Sequence, residues 1–294
     1  MVGNESTAAN LFLSGDLDAV SLSGADVERV EQENADSRDF NGPLGLLWFN
    51  QGEGHPAADP EVRLALAQAT NLPELRAALT SGAGAPATRI ALLEPKACDA
   101  DTVSGSIPEF DTAAAADALD AAGWTADGDG VRTKDGEPLA MTFLYVPALT
   151  DGSTPAAELL AQQWGEIGVD VTLRGVTNPE LNEVLFGTGD WDAGIVPLGV
   201  NFPTQLVPFM SGPAAPDGTN FAHIANSEYE SLAGEASQLL AEEGCAKWDE
   251  ADSALISSAD VLPFADATVK YFLDGVEGAF TIGNIVPATI RMYE

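Results

Sequence analysis

The stretch AADALDAAGWTADGDGVRTKDGEPLAMTFLYV, Ala115 to Val146, passes from an alanine-rich run through an Asp- and Gly-rich run into an apolar one. Two readings compete for its middle. A calcium loop needs oxygen ligands at positions 1, 3 and 5, Gly at 6 and a bidentate Glu at 12. Placing Asp127 and Asp129 at positions 3 and 5 puts Gly130 at 6, but it also puts Thr125 at 1 and Gly136 at 12, so the bidentate carboxylate is missing. The alternative is a helix that ends at Gly123, an aromatic anchor at Trp124 and a turn over 127–130. A short strand over Val131–Thr133 then reverses at Asp135-Gly136 into a strand from Ala140. Calcium is not expected to bind there.

The same alternation extends in both directions. Asp59-Pro60-Glu61, Thr154-Pro155 and Asn178-Pro179-Glu180 each place a cap-type residue before a first-turn proline, which marks a helix start. One helix runs from Asp59, broken by Asn71-Leu72-Pro73 before a second that ends near Gly82; others cover Asp111–Ala122, Thr154–Ile167, Ser227 to about Glu242 with Ser227 and Glu230 as a capping box, and Ala246–Ala259. Strands are expected over Leu44–Phe49, Ala140–Val146, Val169–Leu173, Ala193–Leu198, Val261–Ala265 and Val269–Leu273. Strand and helix in alternation predict an α/β fold with a largely buried sheet. The stretch from Gly199 to Asn220 reads as loop.

Composition narrows the function classes. Twelve Lys+Arg against 46 Asp+Glu in 294 residues leave a formal charge of −34, which repels phosphate backbones and anionic lipid. Neither nucleic acid nor a membrane surface is an expected partner, and acidity of this kind also serves simply to keep a surface hydrated in salty or extracellular settings. No apolar run is long enough for a membrane span, and the start MVGNESTAANLFLSG lacks the basic flank and apolar stretch of a secretory signal. Cys98 and Cys245 show no metal or redox spacing. They are either a disulfide closing a long loop, worth about 4–5 kcal/mol in the chain-entropy model, or two buried thiols. His55 and His223 lie in loops without metal spacing or a nearby nucleophile motif and are expected at the surface; Asp190 and Asp192 are two carboxylates among many. No catalytic residue, cofactor or metal is assigned.

The order helix, Gly-Trp, Asp/Gly-rich turn, GVRTKDGEPL and apolar strand resembles a segment of the family 5 extracellular solute-binding proteins, the peptide/nickel type that serve ABC importers. Five further stretches follow in that family's order: LFLSGDLDAV, LLWFNQGEGHPAADPEVRLALAQATNLPEL, AELLAQQWGEIGVDVTLR, GTGDWDAGIV and ADVLPFAD. The resemblance implies the type II periplasmic-binding-protein architecture, in which two α/β lobes joined by a hinge close over a solute. On it, residues 1–42 are the tail of the first lobe, 43–50 a hinge strand, 51–265 the second lobe and 266–294 the hinge return with a first-lobe segment. Most of the first lobe is then absent, which implies a shortened chain.

The resemblance also implies the function: solute receptor of an ABC importer, without enzymatic activity, in the envelope or outside the cell. A full-length parent would be a lipoprotein engaging a permease, and a monomer is expected. In peptide-binding relatives the loop after the Trp191-Asp192 strand carries a Trp and an ammonium-binding Asp. Aligned on Pro203, this chain has Val196 and Gly199 there, so a free peptide gives ground to an oligosaccharide or other neutral solute. The expected contact residues are Trp48, Asn50, Gly199, Val200, Asn201, Phe202, Asn220 and Phe221. The competing class is a scaffold or sensor module on the same fold.

Overall fold

Two long strands, Asp36–Phe49 and Val261–Leu273, run antiparallel through the computed structural model from Asp36 opposite Leu273 to Trp48 opposite Val261. The structure describes residues 4–24, 26–33, 35–90, 93, 96–126, 130–281 and 284–293. Around the long pair stands a six-stranded sheet in the order Ala19–Leu22, Val261–Leu273, Asp36–Phe49, Ala193–Ile195, Ala140–Tyr145, Asp170–Gly175. The first four run antiparallel to their neighbours, and the last three are mutually parallel.

The two ends of the long pair enter different cores. Leu46, Leu47, Trp48 and Phe49 belong to the large apolar core, together with Val261, Leu262 and Phe264. At the other end Phe272 joins a small cluster with Ala8, Ala9, Phe12, Val20, Leu22 and Val30. Between them, from Asp36 to Leu44 and from Asp266 to Tyr271, side chains are half-buried or exposed. The register shifts where this stretch meets the large core, between Pro43 and Gly45 and between Gly45 and Leu46. A Cβ on Gly45 would lie 2.6 Å from the Phe264 ring, so only glycine allows this approach. Pro263, facing Leu46, sits where the ladder is already irregular and its missing N–H costs least.

The parallel half is a strand–helix–strand unit, Ala140–Tyr145, Ser153–Glu166, Asp170–Gly175. Trp164 seats the helix: fully buried, it lies edge-on to Phe143 at 5.9 Å and stacked on Phe49 at 6.1 Å, and its Nε1–H donates to Thr70 Oγ1 at 2.9 Å. The turn expected at Asp135-Gly136 forms, but the strand it returns is Glu137–Pro138, while Ala140–Tyr145, expected as the hairpin's second strand, pairs in the main sheet. Asp135 and Gly136, both at positive φ, turn Arg132–Lys134 onto Glu137–Pro138, and Trp124 packs half-buried against the core. Asp127 to Asp129, and with them the proposed turn and calcium loop, lie outside the described residues.

Several boundaries differ from expectation for one reason. The strand expected from Leu44 begins at Asp36, and the two expected between Val261 and Leu273 are one. Half-exposed ribbon tolerates Asp, Asn, Gly and Pro, so its sequence reads as loop. The helix from Ser227 is capped by Asn226, whose side chain accepts from Tyr229 N–H, and it ends at Ala236. Thr177, one residue before Asn178, supplies the capping box with Glu180.

Gly45→Val should lower the unfolding free energy by about 1–3 kcal/mol, the usual cost of overpacking. The measurement is the urea midpoint at unchanged slope. Gly234→Ala, on a helix position with no heavy atom within 4 Å of the added carbon, should instead gain about 0.5–1 kcal/mol.

Candidate functional site

The three parallel strands point their carboxyl ends the same way, and the loops that leave them, Val146–Gly152, Val176–Thr177 and Val196–Phe202, share one edge of the sheet. Loops at such an edge are freed from the ladder and are the usual place for a ligand in α/β sheets. The middle of the long pair lies alongside, since Val196 N–H donates to Leu46 O at 3.1 Å. Residues 79–90 and Leu93 close in from the third side: Ala85 exchanges backbone hydrogen bonds with Asp266, and Leu93 N–H donates to Val200 O at 2.7 Å. Across from this edge stand the starts of the helices Glu5–Leu13 and Asp26–Glu31. Between the two sides is a cleft of about 510 Å³.

The cleft mixes apolar and hydroxyl-bearing walls, with Leu44, Thr80, Thr150 and Thr268 among its lining residues. Its described charged groups are Glu5, Asp26 and Asp151. Glu5 accepts from the backbone N–H of Ser23 and Gly24, and Asp26 pairs with Arg29 at 3.0 Å. Two concavities of similar size, about 560 Å³ beside residues 276–293 and about 620 Å³ beside the helix Cys245–Ser257, lie away from the loops at the carboxyl edge.

The structure separates the residues expected to touch a solute. Trp48 is buried, with its Nε1–H donating to Val196 O at 2.8 Å, and Phe221 is buried against it at 4.8 Å between ring centres. The buried Asn50 side chain donates to Trp191 O at 2.9 Å and accepts from Gly52 N–H at 3.0 Å; the buried Asn220 donates to Ile224 O at 2.8 Å and accepts from Ile224 N–H at 2.9 Å. Their side chains are taken up inside the protein: Trp48 supports the carboxyl edge through Val196 with Phe221 packed on it, Asn50 is bonded at the opposite, amino edge, and Asn220 bonds within its own loop. Gly199, Val200, Asn201 and Phe202 do reach the surface, with Phe202 56% exposed, but they lie outside the lining of the cleft.

His55 is tied in more closely than a surface residue. Its Nδ1 lies 2.8 Å from Asp192 Oδ1, its Nε2 lies 3.1 Å from the Asn50 amide, and Thr142 N–H donates to Asp192 Oδ2 at 2.7 Å. This network stitches strands together at the sheet's amino edge, opposite the cleft. His223 is half-buried, and its pKa is lowered by that burial and by the neighbouring His55. Among the described residues no three His, Cys, Asp or Glu side chains are grouped to hold a metal ion.

The sequence profile of the bacterial extracellular solute-binding proteins, family 5 middle region, matches residues 1–220. The chain belongs to this family. No curated protein matches it. Solved structures share its fold: a substrate-binding protein from Microbacterium hydrocarbonoxydans complexed with 4-hydroxybenzoate hydrazide (23% identity, 99% of this chain, TM-score 0.75); the oligopeptide-binding protein AppA of Bacillus subtilis with a nonapeptide (19%, 96%, 0.78); and a dipeptide-binding protein of a Pseudoalteromonas species with Met-Leu (20%, 99%, 0.75). The chain spans 57% of the length of each. These matches confirm the type II periplasmic-binding-protein fold. No described helix of this family 5 chain is long and apolar enough to cross a membrane.

Cys98 and Cys245 are bonded, which decides between the two readings of the pair. Beside them, sequence reasoning missed a buried charge cluster. Arg89 donates to Asp249 at 2.6 Å and to Asp252 at 3.1 Å, tying its own segment to the helix Cys245–Ser257. Arg63 and Asp260 form a second buried pair at 3.1 Å, in which burial lowers the arginine's pKa and raises the aspartate's against their mutual attraction. Nothing in the sequence pairs these residues, which stand more than 150 positions apart.

Burial pushes the Asp252 carboxyl up to about 7, against the pull of Arg89. A carboxyl that holds its proton more tightly folded than unfolded favours folding at acid pH, and that contribution fades as pH rises from about 4 through about 7. Asp252→Asn mimics the protonated form at every pH. The stability of the natural protein relative to this variant should therefore fall between pH 4.5 and pH 8 in urea titrations, whereas a constant difference would contradict the burial argument.

Proposed function

We propose that this chain supplies one wall, and part of the opposite wall, of the solute site of an ABC-importer receptor working in the cell envelope or outside the cell. The carrying observation is the cleft at the sheet's carboxyl edge, whose described charged lining is wholly acidic. Such a lining repels anions and suits a neutral or cationic solute. Oligopeptides and oligosaccharides fit that description, and a peptide reading draws support from the ligands of the AppA and Pseudoalteromonas structures. The Gly199–Phe202 loop leaves the same edge of the sheet outside the cleft's own lining; a solute extending beyond the cleft would stack on its exposed Phe202 ring, with Gly199, Val200 and Asn201 offering backbone groups beside it.

On this reading residues 1–42 and 266–294 belong to a first lobe, 43–50 to a hinge strand and 51–265 to a second lobe. The family's two-lobed plan and the 57% span support it. The receptor would act as a monomer, lipid-anchored in its full-length form, and deliver solute to a permease. A site buried between lobes loses contacts and water exclusion when one wall is incomplete. Binding by this chain should therefore be weak.

Calorimetry with tri- to pentapeptides and with malto- and cello-oligosaccharides tests the reading. The expected result is a dissociation constant near millimolar, about −4 kcal/mol, for at least one neutral or cationic solute and no heat with tricarboxylates. Phe202→Ala should abolish the signal while leaving the melting temperature within about 2 °C, because an exposed ring contributes little to folding. Preference for anions, or binding indifferent to Phe202, would overturn the proposal.

A further inference from the structure

The stretch from Ala85 to Thr102, of which 85–90, Leu93 and 96–102 are described, is pinned at both ends. At its start Ala85 N–H donates to Asp266 O at 3.0 Å and Asp266 N–H returns the bond at 2.9 Å, beside the register shift of the long pair. At its end Cys98 is bonded to Cys245, Thr102 N–H donates to Thr88 O at 2.8 Å, and Arg89 reaches Asp249, Asp252 and Ala100 O. Between these pins sits Leu93. Its N–H donates to Val200 O, and its side chain lies where a Cβ on Gly199 or on Gly42 would come within 3.1 Å. One leucine thus touches both a long strand and the loop that carries Phe202. The two glycines leave just the space it fills, so a side chain at either would push it away.

We propose that Leu93 is the positioning residue of the Gly199–Phe202 loop and that the Cys98–Cys245 disulfide is the anchor that holds it there. Solute recognition then depends on the redox state of this bridge. A dithiol reductant would transfer two electrons to the bridge and become a disulfide itself, and with two protons the chain would be left with two thiols. Cys245 is partly exposed whereas Cys98 is buried, so a reductant would approach the bridge from the Cys245 side. Freed of that covalent pin, the end of the stretch would be held by non-covalent ties alone, among them Arg89, the Thr102–Thr88 bond and the longer contacts of Thr102 with Ser253 and Asp252. Leu93 would leave Val200 more often, and the loop would lose its support from above. The inference rests on the proposed solute-facing role of this loop, but its mechanical part stands without any solute.

Amide hydrogen exchange separates the two. In Cys98→Ser/Cys245→Ser, or in protein reduced with a dithiol, the Leu93 amide should exchange at least tenfold faster, while Leu47 and Trp48 in the core ladder keep their rates. Leu93→Ala, with the bridge intact, should speed exchange at Asn201 and Phe202, whose N–H groups donate to Gln205 Oε1. If loss of the bridge unfolds the chain, seen as faster exchange at Leu47, the Leu93→Ala variant decides. Unchanged exchange at 201–202 in Leu93→Ala, or unchanged exchange at Leu93 without the bridge in a folded chain, overturns the proposal. Calorimetry on the same variants with the best-bound peptide or oligosaccharide should show at least tenfold weaker binding. Coupled exchange with binding unaltered in every variant would keep Leu93 as a mechanical link and remove the loop from the solute site.

Discussion

The antiparallel ladder between Asp36–Phe49 and Val261–Leu273 joins segments more than 200 positions apart, and both apolar clusters depend on it. Without it the N-terminal helices would have no sheet to cover, because Ala19–Leu22 pairs with the Val261–Leu273 strand and Phe12 rests on Phe272. Such long-range pairing is entropically costly to start, so it has to be secured by burial at both ends. Trp48 and Phe264 secure one end, Leu22 and Phe272 the other. The register becomes irregular where the half-buried middle meets the large core, and there the Gly45–Phe264 approach lets the buried end bend without a clash.

That arrangement also explains where the cleft lies. The carboxyl ends of the parallel strands come level with this middle section, so loops from the large core and helix starts from the small cluster meet across it. The loops are not left to wander. Trp48 holds the start of Val196–Phe202 from beneath through Val196 O, and Leu93 holds Val200 from the side. Support from two sides leaves a single exposed ring on a loop that is already ordered.

Much of the fold was legible because burial writes itself into the pattern. Pro60, Pro179 and Asp111 mark helix starts, Asp135-Gly136 marks a hairpin, and the apolar run Leu44–Phe49 marks a strand that is buried at its end. The polar half of the same strand was not legible, since Asp36 to Pro43 neither alternates cleanly nor resembles a buried run. The site was legible only in part. Trp48, Asn50, Asn220 and Phe221 have the residue types of a ligand site, and sequence offers no means of telling a satisfied buried amide from an offered one. Cleft hydroxyls such as Thr80 and Thr268 carry no signal of their own, because their meeting is set by the crossing of chain segments.

The few cations are placed where they do most structurally. Arg63, Arg89 and Arg132 are buried and paired with Asp260, with Asp249 and Asp252, and with Asp120. A buried guanidinium neutralises carboxylates that could not otherwise leave water, and removing one partner leaves the other stranded. This use of arginine leaves the surface with an excess of acid whose mutual repulsion favours expansion of the chain and is relieved by salt. The disulfide, which limits expansion of the unfolded chain over a separation of 147 positions, acts on the same balance from the other side. Charge and crosslink are therefore parts of one balance: the acidic surface favours expansion of the chain, and the bridge limits it.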